Sequence, residues 1–263
     1  MSKTVVALLV CTSLCVLVNT HPKNKEARII GGKVARAGQF TWQAAIYVTT
    51  ADGTYFCGGT VISSQWILTA AQCVYNAVQF TIRLGVFDLT VNDENELLLS
   101  TSLYTIHPDY NPLTLEHDVG LIQLHMPITF TEYIEKVDLV NVGQTNVGDL
   151  VGASGWGQTS DDVGELSDQL NFVTLVIISN TECQTTYGSQ IKDGMLCAIG
   201  NYNQGICLGD IGGPIVKPDG FGNAIHAGIS SFTSLNGCES LEPSGFTRTD
   251  VYREWILNVT GSL

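Results

Sequence analysis

Positive charge is scarce in this chain of 263 residues: 12 Lys and Arg stand against 25 Asp and Glu, a formal net charge of −13. A surface of that sign repels nucleic acid and anionic membranes, so neither is expected as a partner. After residue 18 no apolar run is long enough to cross a bilayer. The six cysteines beyond residue 20 include no Cys-x-x-Cys pair, which leaves a zinc centre without its usual ligand spacing. Internal repeats and low-complexity tracts are absent as well. No long helical period is present, and that argues against a helical bundle.

What the chain does contain begins with Lys3 and an apolar run from Val5 to Val18, the pattern of a secretory signal peptide over residues 1–20. It implies a secreted, extracellular protein. Cys11 and Cys15 would leave with the signal, and an even set of six suggests three disulfides whose pairing spacing alone does not settle. Residues 21–28 are short and polar and end in Arg28. Losing residues 1–28 would remove Lys3, Lys23, Lys25 and Arg28 against Glu26, taking the net charge from −13 to −16. From Phe40 the chain reads as short strands. Trp42 to Val48 breaks at Asp52-Gly53, a hairpin signal, and resumes through Tyr55 to Ile62 before turning again at Ser63-Ser64. With 27 glycines and many polar turns, the class is all-β, a sandwich or a barrel.

Five separated motifs narrow this. They are Ile29-Ile30-Gly31-Gly32 after Arg28, Leu68-Thr69-Ala70-Ala71-Gln72-Cys73, His117-Asp118-Val119-Gly120-Leu121-Ile122, Ser154-Gly155-Trp156-Gly157 and Gly209-Asp210-Ile211-Gly212-Gly213-Pro214. Together they resemble the chymotrypsin-like serine proteases. Gly237-Cys238-Glu239 and Pro243-Ser244-Gly245-Phe246-Thr247-Arg248 look most like arthropod digestive enzymes of the brachyurin and insect chymotrypsin type, which suggests the gut lumen as one location. The resemblance implies two six-stranded antiparallel Greek-key barrels with a cleft between them and a C-terminal α-helix. The domain would run over 29–263, with barrel one at about 40–135, barrel two at about 148–248 and the helix at about 249–259. Implied disulfides are Cys57–Cys73, Cys183–Cys197 and Cys207–Cys238.

Two departures fall on the residues that carry the family's chemistry. Gln72 stands where the general base histidine belongs, and a carboxamide takes up no proton at useful pH. Ile211 stands in place of the nucleophilic serine, and its side chain has no heteroatom to attack a carbonyl. Its branched side chain is expected to project into the space of the attacked carbon. Asp118 is the retained acid of this degenerate triad, and the Gln72 amide is expected to donate to it. The N–H groups of Gly209 and Ile211 match the family's oxyanion hole. Gly205 falls at the base of the specificity pocket with Ser244 as a wall. Ser231, Phe232 and Thr233 match the strand that pairs with substrate backbone, and Thr233 narrows the entrance. An uncharged pocket for medium apolar side chains follows. His117 is adjacent to Asp118 on a segment read as extended, so it points away from the cleft.

The switch parts are all present. A trypsin-like protease cutting between Arg28 and Ile29 would free an α-amino group for Asp210, as the resemblance implies. Glu96 matches a calcium ligand of some members, but Val86 occupies another ligand position, and no metal or cofactor is expected. Asn258-Val259-Thr260 is a glycosylation sequon. The reading is therefore a secreted protease homologue that is not an active enzyme and binds proteins, peptides or protease inhibitors in the inherited cleft. The alternatives are a weak hydrolase and an extracellular cofactor of a proteolytic cascade.

Overall fold

The computed structural model describes residues 31–261 and 263. The expected signal peptide and propeptide, with Arg28 and Ile29, lie outside the described residues. A short strand, β1 (Lys33–Val34), precedes a sheet formed by β2 (Gln43–Thr49), β3 (Thr54–Val61), β4 (Trp66–Thr69), β5 (Gln79–Leu84), β6 (Leu97–Thr101), β7 (Leu103–Ile106) and β8 (Gly120–Gln123), in the order β6-β5-β2-β3-β4-β8-β7. Alternation sets its inner face. In β5, Phe80, Ile82 and Leu84 are buried while Gln79 is exposed, and they pack with Ile46, Ile67 and Leu121 into one core.

This first sheet is not the closed six-stranded barrel that the resemblance implies. It has seven strands, and its two edges, β6 and β7, flank Ser102 without pairing to each other. The cause is local. Thr101 Oγ1 donates to Gln123 O at 2.8 Å and accepts from Leu103 N at 3.1 Å, so the chain bends there, and each half pairs with a different neighbour. The sheet is an open half-barrel.

The second sheet does close. It contains β9 (Asp138–Leu139), β10 (Leu150–Gly155), β11 (Asn171–Ile178), β12 (Met195–Ile199), β13 (Pro214–Pro218), β14 (Ala224–Phe232) and β15 (Ser244–Arg248). A ring of six runs β11-β10-β13-β14-β15-β12 and returns through the β11 to β12 ladder. Val151, Val173, Leu175, Ile215 and Phe246 fill it. Two short strands pair with members of the ring, β1 with β11 and β9, in parallel, with β14, so the segments flanking the first sheet both reach across to the second.

The described residues also include three α-helices: α1 (Ala71–Val74), α2 (Asn180–Tyr187) and α3 (Thr249–Thr260). The third lies where the C-terminal helix is expected. The second was not expected, although Ser179 Oγ accepts from Glu182 N at 3.1 Å in a Ser-x-x-Glu cap. The disulfides join Cys57–Cys73, Cys183–Cys197 and Cys207–Cys238. His226 pins the seam between the sheets. Fully buried on β14, it contacts Thr60 Oγ1 of β3 at 3.2 Å and Thr249 Oγ1 of α3 at 2.7 Å. Burial pushes its pKa down to about 3.

Candidate functional site

The site lies where the turn before β13 meets β3 and α1. Gly58 N donates to Ile211 O at 2.8 Å, and Gly212 N to Ser230 O at 2.8 Å. A Cβ on Gly58 would sit 2.7 Å from Gly213 Cα, so this backbone approach requires glycine. Gly209 and Gly212 adopt φ of +99° and +83°, which shapes the turn. Among the described residues the N–H groups of Gly209 and Ile211 find no partner.

Gln72 sits on the single turn α1, beside the Cys57–Cys73 bridge. Asp118 is fully buried beneath it and accepts from Gln72 N at 2.9 Å, from Gln72 Nε2 at 2.6 Å and from Ser231 Oγ at 2.6 Å. Burial raises the Asp118 carboxyl above its ordinary range, and the Ser231 and Gln72 donors act against that rise. Gln72 Nε2 donates a second time, to Ser231 O at 2.8 Å. Ile211 is half-buried and packs against the first-sheet core rather than standing free in the cleft.

The remaining candidate residues lie on or beside β14 and β15 and in the loop between β12 and β13. Ser244 Oγ lies 3.1 Å from where a Cβ on Gly205 would be, which brings these two uncharged residues together. Phe232 is a buried residue, edge-on to Tyr187 at 5.3 Å, and its ring fills the space that a Gly245 side chain would need. Thr233 follows β14 directly and is half-buried.

Asp210 is turned into the protein, against Gly155 and Gly157. Its carboxylate accepts from Gly157 N at 2.8 Å and Cys207 N at 2.9 Å, and a Cβ at Gly155 or Gly157 would overlap it. Burial pushes its pKa up to about 6, because two backbone donors do not replace the water it has lost. Both oxygens of Glu96 are taken by the Arg83 guanidinium at 2.6 and 2.8 Å, which leaves that carboxylate committed to an ion pair. Asn258 is exposed on the last turn of α3.

Tyrosines that no motif marked border the same wall. Tyr55 OH donates to Cys73 O at 3.1 Å, and Tyr75 and Tyr110 meet edge to face at 5.9 Å. Burial, with the Asp118 charge second, holds the Tyr110 phenol well above its ordinary range. His117 is not on extended backbone. Its φ is +56°, and it stacks on His107 with ring centroids 4.8 Å apart while Nδ1 lies 3.1 Å from Tyr252 OH.

A family model described as Trypsin matches residues 29–256. The chain belongs to the trypsin family. Within that family it is 35% identical over 233 residues to brachyurin of Leptuca pugilator, covering 89% of this chain and 99% of that protein. It is 34% identical to a collagenase of Hypoderma lineatum, covering 92% of each. A solved structure of HL collagenase superposes with a TM-score of 0.81 at 31% identity, over 89% of this chain and 100% of that one. Trypsin-family membership accounts for the two sheets and the three disulfides together.

Proposed function

We propose that this protein is a secreted, catalytically inactive member of the trypsin family that binds intact polypeptide in its cleft, as a protein, a peptide or a substrate-like protease inhibitor. The observation that carries this reading is the double use of the Gln72 amide. It donates to Asp118 and to Ser231 O, which occupies the acid with a group that takes up no proton. Ile211 supplies no nucleophile beside it. In subtilisin the loss of such triad members costs about 10⁶-fold in turnover. The free N–H groups of Gly209 and Ile211, and the neutral pocket of Gly205 and Ser244, support retention of peptide binding.

Activation by a trypsin-like protease at Arg28 belongs to the same proposal, since Asp210 is buried and, among the described residues, its oxygens meet two backbone donors and no cation. The test compares the wild type with the double variant Gln72→His, Ile211→Ser, each before and after tryptic cleavage. Turnover of blocked peptide esters and labelling by a fluorophosphonate are measured. A silent wild type and a cleavage-dependent active variant are expected. Steady turnover by the wild type above a mock-purified control would instead make it a weak hydrolase.

A further inference from the structure

The binding reading leaves one polar atom of the cleft without a role, and the inference rests on that reading. A primary carboxamide carries two N–H hydrogens and one acceptor oxygen. Both hydrogens of Gln72 Nε2 are spent inside the protein, on Asp118 Oδ2 at 2.6 Å and Ser231 O at 2.8 Å. Turning the amide over would set Oε1 against Ser231 O, a carbonyl that has no hydrogen to give, so the network favours one orientation. Oε1 then accepts nothing from the described residues. It is not sealed off, because Gln72 is only half-buried and Oε1 retains contact with solvent. Gln72 Nε2 meets Ser231 O while Gly212 N donates to Ser230 O at 2.8 Å, so the amide and the turn that carries the unpaired N–H groups of Gly209 and Ile211 are docked on consecutive residues of β14.

We propose that Gln72 Oε1 accepts the backbone N–H of a bound polypeptide whose adjoining carbonyl faces the Gly209 and Ile211 N–H groups. The cleft thereby recognises an intact secondary amide by both of its ends. Ile211 offers that carbonyl carbon nothing to react with, and the bond persists. The ligand class follows from the acceptor. A peptide bond qualifies, whereas an ester, or an amide whose nitrogen belongs to proline, has no hydrogen for Oε1. Glutamine at this position thus keeps a hydrogen-bond acceptor while giving up the site that takes up a proton.

The test uses the secreted protein after tryptic cleavage at Arg28 and disulfide-cyclised peptides that present Ala, Val or Leu to the pocket. The tightest probe is remade with an ester in place of the amide that follows the pocket residue, and again with the ester two bonds further along. Calorimetry should give about three- to tenfold weaker binding for the first ester and no change for the second, the worth of one neutral hydrogen bond. Gln72→Met should bind amide and ester probes alike. Gln72→His should keep the discrimination at neutral pH, through an imidazole nitrogen that accepts while the other donates to Asp118. The wild-type comparison stands even where a variant fails to fold. Equal affinity of the amide and the first ester for wild type overturns the inference and leaves peptide binding intact. Failure of every amide probe to bind overturns both.

Discussion

Asp118 and Asp210 are both sealed from solvent, and burial raises both above the ordinary carboxylate range, yet their surroundings differ. Asp118 meets a main-chain N–H, a carboxamide and a hydroxyl, all neutral donors within 2.9 Å. Asp210 meets two main-chain N–H groups, in space kept open by Gly155 and Gly157. One carboxylate is met by side-chain donors as well as the main chain, the other, among the described residues, by the main chain alone. Because the two share no donor, a substitution at one acid leaves the contacts of the other in place.

Substitutions at the two acids should break that comparison in different ways. Asp118→Ala would leave the Gln72 amide and the Ser231 hydroxyl without their acceptor, at a cost of about 3 kcal/mol or more in chemical denaturation. Asp210→Asn should act with opposite signs in the two forms of the chain. The folded pKa of Asp210 lies above its unfolded value, so the folded state holds the proton longer, and stability falls as pH rises from about 4 to about 6. In the uncut chain the Asn variant should remove that slope and add up to about 3 kcal/mol at neutral pH. After cleavage it should destabilise instead, by removing the partner of the new ammonium. His226 slopes the other way, losing stability as pH falls from about 6.5 towards 3, so the readout is the difference between variant and wild type. Ser231→Ala is the smallest change. Losing one hydroxyl donor to Asp118 should cost about 1.5 kcal/mol and leave the Gln72 contact in place.

Much of the site was legible because its parts are contiguous. Leu68 to Cys73 and Gly209 to Pro214 each place a backbone turn and a side chain together in a few residues, and the contact from Gln72 to Asp118 follows from what a carboxamide can donate. Other features join residues with no local signature. The triple contact of Thr60, His226 and Thr249 unites three elements, and nothing near His226 marks it as a seam. The stack of His107 on His117 depends on a left-handed residue that alternation along an extended segment cannot anticipate. The bend at Ser102 turns on one threonine hydroxyl that both accepts and donates. Helix α2 is a different kind of miss. Its Ser179 to Glu182 cap was readable, but Asn180 to Tyr187 has only one buried residue, Cys183, and hence no apolar stripe.

A cleft that holds polypeptide without cutting it is the central claim. The most direct measurement mixes the cleaved protein with the tightest cyclised peptide, isolates the complex, and determines by mass spectrometry whether the peptide recovered from it is whole. An uncut peptide in stoichiometric amount after prolonged incubation is the predicted result. Recovery of the peptide hydrolysed at the bond after its pocket residue, at a rate above that of an Asp118→Ala control, would contradict it.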